Sequence, residues 1–332
     1  MEKVGPNNPF TVTYDIVKPA TEEQVQAFEA NLGVRLPEDY RHFLLTINGG
    51  RRTPGGWEAP EHDIFVATFY GLRDAWYDLR DSFETYREAL KDPQSGLPPD
   101  AFPFASTIGN EQYLFQYGGE HPGSIWSYEW GPPRDKPWKP GDPPIDADDE
   151  WRILAPSFSA FIDMLWQEPE SPEQAELRRM LMEDDVEAMK VYVQTLSKKQ
   201  LNEQDPDTGD TLLQRAADIG ALQIVRLLLD HGATGLAGMV RVISHGHSEV
   251  ARELVLHGYG PNADNWQSAS VYARPELLRT FIEIGGVPSE EVLRDCLARA
   301  WSLLVSRPRP GRKEVVDILD RLVKKAAKKR GK

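Results

Sequence analysis

Apolar residues recur at helical spacing in two neighbouring segments near the start of the chain. The first segment begins at a capping box formed by Thr21 and Gln24 and ends at Gly33. The second begins at Pro37, which suits a first helical turn, and ends at Asn48, which accepts the left-handed backbone of a helix end. Two consecutive helices are therefore predicted. Their apolar faces consist of Val25, Phe28 and Leu32 in the first helix and of Tyr40, Phe43, Leu44 and Ile47 in the second.

Short runs rich in aromatic and β-branched residues, separated by glycine or proline, predict strands around these helices. The runs are residues 10–17, 63–69, 113–117 and 124–128. Further helical patterns cover residues 74–90 and 157–166. Helices at both ends with strands between them indicate an α+β domain with an antiparallel or mixed sheet.

The composition of the chain changes at residues 167–172. Seven of the nine tryptophans precede this point, whereas the sequence after it is rich in leucine and helical in pattern. Ser171 and Pro172 suit the start of a new helix. We therefore expect two domains, residues 1–168 and residues 172–330.

Several motifs follow one another between residues 20 and 167. They are TEEQV at 21–25, LGVRLPEDY at 32–40, NGG at 48–50, FYGL at 69–72, FPFA at 102–105 and ILAPSFSAF at 153–161. These motifs, and the order in which they occur, closely resemble those of the SUKH superfamily. This superfamily includes Smi/Knr-type regulators of fungal cell walls and many bacterial immunity proteins. The resemblance implies a central sheet with flanking helices and a role in binding. In bacteria, the common role of this family is to bind and silence a cognate toxin, often a nuclease or deaminase.

Residues 207–234 read DTGDTLLQRAADIGALQIVRLLLDHGAT and resemble one ankyrin repeat. Two signature positions depart from the usual repeat, since Leu212 stands in place of proline and Gln214 in place of histidine. The other signature residues are in phase: Asp207, Thr211, Leu213, Ala216, Ala217, Gly220, Val225, Leu227, Leu228, Gly232 and Ala233. The resemblance implies paired helices that stack on similar neighbours.

Weaker versions of this pattern surround the repeat. Gly246 follows Gly220 by 246 − 220 = 26 residues, and Gly285 follows Gly258 by 285 − 258 = 27, against about 33 in a full ankyrin repeat. Shortened units would lack most of the β-hairpin between repeats. Residues 184–193 suggest an earlier unit and residues 289–327 a terminal helix pair. We expect a degenerate all-α array, which serves either as a binding surface or as a scaffold packed on the first domain.

The charged residues are unevenly distributed. The whole chain has a net charge of −14. Residues 1–170 contain 14 Lys or Arg and 29 Asp or Glu, which gives 14 − 29 = −15, and residues 171–332 contain 24 and 23, which gives +1. An acidic surface repels nucleic acids and membranes and attracts basic proteins. We therefore expect a protein partner rather than a nucleic acid or a membrane.

The sequence also bears on the cellular compartment. Cys296 is the only cysteine, so no internal disulfide can form, and its helical surroundings indicate a small buried side chain. The N-terminal residues contain no apolar stretch typical of a secretory signal, and no run of about 18 apolar residues occurs. These features predict a cytoplasmic protein.

No motif for catalysis, a metal or a cofactor is recognisable. The seven histidines form no HExxH pattern, and the glycine-rich residues 49–56 lack the form of a phosphate-binding loop. The acidic residues 142–150 do not match a calcium-binding loop. We interpret them as a solvated loop or, alternatively, as a contact for a toxin. The basic residues 324–332 favour a frayed, solubilising end over a nucleic-acid contact.

The leading hypothesis is a non-enzymatic bacterial immunity protein that neutralises a cognate basic toxin, of the nuclease type. Acidic residues would steer the toxin and aromatic residues would supply the desolvated contacts. The candidate contact residues are Glu58, Glu61, Asp63, Trp130, Asp146, Asp148 and Asp149. Two alternatives are a regulatory adaptor that binds cellular partners through both domains and a binder of small molecules or peptides.

Overall fold

The computed structural model defines two compact units, one ending at Pro172 and one beginning at Glu173. It describes the chain from residue 1 to residue 330 except for residues 6–8, 14–15, 17, 53–54, 73–76, 93–96, 109–110, 130–150, 237 and 307–309. The first unit combines helices with antiparallel sheets, and the second consists of helices.

The first unit contains four helices in its described residues: α1 (Glu22–Leu32), α2 (Glu38–Thr46), α3 (Leu79–Ala89) and α4 (Phe158–Ile162). The capping box of Thr21 and Gln24 begins α1, and Gly33 ends it in the left-handed conformation, as the sequence predicts. Asp78 accepts a hydrogen bond from the backbone of Arg80 and so caps α3, which begins later than the predicted residue 74.

The strands of the first unit form two antiparallel sheets. The larger sheet has the order β2-β5-β6-β7-β8-β9 and the smaller one the order β1-β10-β3-β4. Their bounds are β1 (Glu2–Lys3), β2 (Gly50–Arg51), β3 (Trp57–Ala59), β4 (Ile64–Val66), β5 (Thr68–Phe69), β6 (Ala101–Ser106), β7 (Glu111–Gln116), β8 (Ile125–Glu129), β9 (Trp151–Ala155) and β10 (Trp166–Gln167).

An aromatic core joins α2 and α4 to the six-stranded sheet. Tyr40 of α2 is fully buried and stacks on Phe115 with ring centroids 4.9 Å apart. The ring centroid of Phe158, in α4, lies 4.9 Å from the ring centroids of both Tyr40 and Phe43. Burial of each such side chain stabilises the fold by about 1.5–3 kcal/mol. The predicted apolar face of α2 therefore lies in the core, except that Ile47 is only half-buried.

Three strand and helix predictions for this unit are wrong. The described residues of the segment 10–17 form no strand, because Thr11 and Thr13 donate their N–H groups to the Gln167 side chain and to Arg51 O instead of to a ladder. The predicted helix 157–166 ends at Ile162, and the chain then enters β10. The run 63–69 is divided between β4 and β5, which belong to different sheets.

The second unit is an array of helices, and its described residues contain no strand. The helices are α5 (Pro172–Glu183), α6 (Val186–Thr195), α7 (Lys198–Leu201), α8 (Leu212–Ile219), α9 (Leu222–Asp230), α10 (Val240–Ser244), α11 (Ser248–Leu256), α12 (Ala263–Val271), α13 (Pro275–Glu283), α14 (Glu290–Ser306) and α15 (Arg312–Arg330). The pairs α8/α9, α10/α11, α12/α13 and α14/α15 follow the predicted units. Residues 324–330 continue α15, so the expectation of a frayed end is wrong for them.

A residue with positive φ occupies the turn inside each helix pair. These residues are Asp184, Gly220, Gly246, Ala273 and Gly311, with φ values between 52° and 83°. Only glycine adopts this conformation without steric cost, so Asp184 and Ala273 are strained. The recurrence of one backbone conformation shows that the short turns at Asp184, Gly220, Gly246 and Ala273 are alike even where the glycine is lost.

Side chains from one helix pair cap helix ends in the preceding pair. Arg274, just before α13, donates to the backbone oxygens of Ile243 at 3.1 Å and Ser244 at 3.2 Å, near the end of α10. Arg312 donates to Val271 O, at the end of α12, at 3.2 Å. A cation at a helix C-terminus satisfies unpaired carbonyls and stabilises the helix dipole. These contacts fix the register of stacking within the array.

Candidate protein-binding face

One row of side chains crosses the four-stranded sheet. The register places Lys3 opposite Trp166, Trp166 opposite Glu58, and Glu58 opposite Phe65. Directly paired residues in a sheet point to the same face, with Cβ atoms about 4.5–5.5 Å apart. The carboxylate of Glu58 is therefore flanked by two aromatic side chains in a continuous row.

This row lies on the outer face of the sheet. Glu58 and Phe65 are half-buried, whereas the residues on either side of them in β3 and β4 are buried. A Cβ atom at Gly56 would lie 2.9 Å from the Phe65 ring, so the ring covers this glycine on the face that Glu58 shares. The half-buried aromatic rings thus offer apolar area beside an accessible carboxylate.

The inner face of the same sheet is fixed by hydrogen bonds. Gln167 is fully buried, and its Oε1 atom accepts a hydrogen bond from Trp57 Nε1 at 3.1 Å. Its Nε2 atom donates to Pro9 O at 2.6 Å. Because Gln167 is adjacent to Trp166 in β10, these bonds hold the strand that carries the outer tryptophan. The outer row is consequently built on a rigid support.

The hairpin between β3 and β4 adds two carboxylates beyond the row. Its turn is a 3-10 helix at Pro60–His62, which presents Glu61 to solvent. Asp63 follows with a left-handed backbone (φ 55°) and is also exposed. Arg152 of β9 donates to His62 O at 2.7 Å and links the turn to the larger sheet. We call Trp166, Glu58, Phe65, Glu61 and Asp63 the acidic sheet face.

The outer edge of β4 is closed by Tyr113. Its hydroxyl donates to Phe65 O at 3.0 Å and accepts from Phe65 N at 3.3 Å. Burial raises the pKa of Tyr113, so the hydroxyl keeps the proton that it donates. Because both edge groups of Phe65 are occupied, an added strand cannot pair there. A partner would contact the face of this sheet and not this edge.

The predicted contact residues fall into two groups. The structure brings Glu58, Glu61 and Asp63 together on one hairpin. The others, Trp130, Asp146, Asp148 and Asp149, lie outside the described residues. The sequence pattern does not indicate Phe65 and Trp166 as contacts, because Phe65 lies in a continuous apolar run and Trp166 lies in the segment 157–166 for which a helix is predicted.

A buried polar cluster lies between α8 and α10 of the second unit. Arg241 forms ion pairs with Asp210 at 2.5 Å and with Asp218 at 2.8 Å. Asp218 also accepts a hydrogen bond from Gln214 at 2.7 Å, and its backbone oxygen lies 3.0 Å from His245 Nδ1. Burial raises the pKa of Asp218 to about 7. The groups satisfy one another within the array, and the cluster joins two successive helix pairs.

The structure provides two further observations about chemistry and location. Within the described part of the chain, no three or more His, Cys, Asp or Glu side chains come together as a metal ion would require. Among the helices in the described ranges, none has both the length and the apolar character that a membrane crossing needs.

Comparison with known protein families identifies two regions. The SMI1 / KNR4 family (SUKH-1) matches residues 19–164, which include α1 to α4, the whole six-stranded sheet, and strands β3 and β4 of the four-stranded sheet. The ankyrin repeat matches residues 208–237, which include α8 and α9. Both families are generally non-catalytic binding modules. No curated protein sequence matches the chain.

Proposed function

We propose that this chain, with its SMI1 / KNR4 (SUKH-1) domain and ankyrin repeat, is a non-enzymatic immunity protein that binds and neutralises a basic toxin. The SUKH family is associated with immunity to polymorphic toxins. The observation that carries the proposal is the acidic sheet face, where Glu58 lies between Trp166 and Phe65. Glu61 and Asp63 extend its negative charge.

The chemistry of this face suits a basic protein partner. Aromatic side chains at the centre of an interface supply most of the binding free energy, and surrounding charges steer the partner and exclude wrong ones. Nucleases carry Lys and Arg side chains that neutralise phosphates, so a nuclease-type toxin presents the complementary charge. Trp130, Asp146, Asp148 and Asp149 are proposed as additional contacts, with the three aspartates increasing the negative charge of the binding surface.

The face is also preorganised for binding. The hydrogen bonds of Gln167 and Tyr113 fix both strands that flank Glu58 before any partner arrives. A rigid surface loses less conformational entropy on binding than a flexible one. The sheet can therefore hold the aromatic and acidic side chains in the arrangement that a toxin surface would contact.

A growth assay tests the proposal. Each toxin domain encoded next to this chain's gene is expressed in a susceptible bacterium, with and without the full chain. The expected result is that the chain restores growth against one of them, and that Glu58→Lys abolishes the rescue. Glu88→Lys, an equal charge change at an exposed position of α3, should still protect.

Three outcomes would contradict the proposal. If no neighbouring toxin is neutralised, the immunity function fails. If the chain instead binds housekeeping proteins through both regions in the absence of any toxin, the regulatory adaptor is the correct function. If rescue occurs but Glu58→Lys protects as well as the unaltered chain, the acidic sheet face is not the binding surface.

A further inference from the structure

A groove lies between α13 and α15, near the C-terminal end of the helical array. It is open to solvent and has a volume of about 300 Å³. It is lined by Arg279, Ile282, Ile318, Arg321, Leu322 and Lys325. Three of these side chains are aliphatic, and we call them the floor; three are cationic, and we call them the rim. The surface of the groove is predominantly apolar, so the rim residues line it mainly with their methylene stems.

The floor is accessible, although its residues belong to the packing of the array. Ile318 is buried, whereas Ile282 and Leu322 are half-buried and retain exposed apolar surface. The volume lies at the lower limit for ligand pockets, which bury apolar groups between a few polar ones. A groove of this size accepts one or two aliphatic side chains rather than a large cofactor.

The rim carries positive charge that the neighbouring helices balance only in part. Arg279 forms an ion pair with Glu314. Arg321 donates from Nε to the backbone oxygen of Asp317, which leaves the rest of its guanidinium for other acceptors. From residue 321 to the end of the sequence there are seven Lys or Arg residues and no Asp or Glu. This charge contrasts with the net of −15 in residues 1–170.

Part of this positive charge has a structural explanation, because cations near a helix C-terminus stabilise the helix dipole. That explanation accounts for the last turn of α15. It does not account for Arg279, which lies on α13, or for the meeting of Arg279, Arg321 and Lys325 around one apolar groove.

We propose that this groove binds an acidic amphipathic helix of a second protein partner. Aliphatic side chains at i and i+4 of that helix enter the floor, and flanking Asp or Glu residues pair with the rim. Grooves between neighbouring helices recognise amphipathic helices in this way. The site differs from the acidic sheet face in sign of charge and in the partner that it selects, and it does not depend on the toxin-binding function.

The apolar floor distinguishes this partner from other anions. A nucleic acid would neutralise the rim but would leave Ile282 and Leu322 without apolar contacts. A membrane surface would contact the exposed cations of α15 without needing a recessed floor between two helices. An acidic helix satisfies both the floor and the rim, and so fits the groove better than either.

Fluorescence anisotropy with the full-length chain tests the proposal. The probe is a labelled synthetic helix with leucine along one face and glutamate on both flanks. We expect saturable binding, and we expect the double variant Arg321→Glu with Lys325→Glu to raise Kd at least tenfold, because like charges then face the peptide. Leu322→Asn should also weaken binding by removing part of the floor.

A matched variant separates local effects from net charge. Lys313→Glu with Lys324→Glu makes the same charge change on α15, at residues whose partners are Asp317 and Asp320 and not the groove. Its Kd should change by less than about threefold. A circular dichroism melt of each variant verifies that the helices remain folded.

Several outcomes would overturn the proposal. They are no binding of the acidic helix, equal loss of affinity in both double variants, and tighter binding of a single-stranded oligonucleotide or of anionic vesicles that depends on Arg321 and Lys325. A version of the probe with lysine in place of glutamate should not bind, and binding of that version would likewise exclude this site.

Discussion

The carboxylate of Asp184 accepts a hydrogen bond from the backbone N–H of Ile224 at 2.9 Å. Asp184 lies in the turn between α5 and α6, while Ile224 lies in the first turn of α9. A second bond from Gln223 N, at 3.1 Å, reaches the other carboxylate oxygen. The N-cap residue of α9 is Ala221, which has no polar side chain, so an earlier helix pair supplies the cap.

Replacing Asp184 with alanine should destabilise the array. The variant leaves two N–H groups of α9 without their acceptor, and loss of a cap costs about 1–2 kcal/mol. The measurement is the free energy of unfolding from urea titration of the full chain. Asp184→Asn retains an acceptor and tolerates the positive φ of this turn, so its free energy of unfolding should fall less than that of the alanine variant. Equal stability of the alanine variant and the unaltered chain would contradict the capping role.

The turn at Ala273 offers a test in the opposite direction. Its φ of 55° strains an alanine, whereas the equivalent turns at Gly220 and Gly246 use glycine. Ala273→Gly should raise the free energy of unfolding by up to about 1 kcal/mol, since relief of strain exceeds the added entropy of the unfolded chain.

The reverse change at Gly246 is the corresponding control. Gly246→Ala should destabilise the chain, because a Cβ atom there would lie 2.9 Å from the Arg274 guanidinium in addition to the strained φ. Thermal or urea unfolding measures both variants. A loss of stability in Ala273→Gly would show that the turns are not equivalent.

The raised pKa of Asp218 predicts that the free energy of unfolding depends on pH. Burial raises its folded pKa from 3.8 to about 7, and Arg241, Asp210 and His245 are the charged or titratable groups around it. The unfolded chain therefore loses this proton at lower pH than the folded chain. The stability that Asp218 contributes to the folded chain is fully present below about pH 4 and is lost as the pH rises to about 7.

Asn in place of Asp218 removes that titration. The unfolding free energy of Asp218→Asn should vary less between pH 4 and pH 7 than that of the unaltered chain, by an amount on the order of a few kcal/mol. Urea titrations at several pH values provide the comparison. Identical pH profiles for the two proteins would mean that Asp218 titrates near its ordinary range when folded.

Sequence patterns predict the helices of this chain better than its strands. Local signals suffice for α1, because the capping box of Thr21 and Gln24 marks its start and Gly33 marks its end. They do not suffice for β10, because Trp166 and Gln167 become a strand only by pairing with β1 and β3, which are distant in sequence. The same reason explains why the described residues of the segment 10–17, which look extended in sequence, form no strand.

The hydrophobic periodicity also does not indicate which charged side chains are buried. Arg41 lies on the helix whose apolar face is predicted correctly, yet it is only 5% exposed. It forms ion pairs with Glu22 and with Glu29 of α1, the latter at 2.5 Å. A buried arginine requires partners from another helix, and their position depends on packing that periodicity does not reveal.

The candidate site was predicted only in part for a related reason. Acidity and loop propensity point to Glu58, Glu61 and Asp63, and the hairpin does bring these residues together. The role of Trp166 and Phe65 depends on cross-strand register, since each becomes a neighbour of Glu58 only in the assembled sheet. The contribution of the other predicted contact residues, Trp130, Asp146, Asp148 and Asp149, stays a prediction.

The proposal that the acidic sheet face binds a basic toxin is tested most directly by calorimetric titration of the purified chain with a toxin whose growth inhibition the chain relieves. Glu58→Lys should raise Kd by about 30-fold or more, because it places a cation at the centre of a surface that meets a basic partner. Glu88→Lys on α3 should change Kd by less than about threefold. Equal affinities for Glu58→Lys and the unaltered chain would contradict the account.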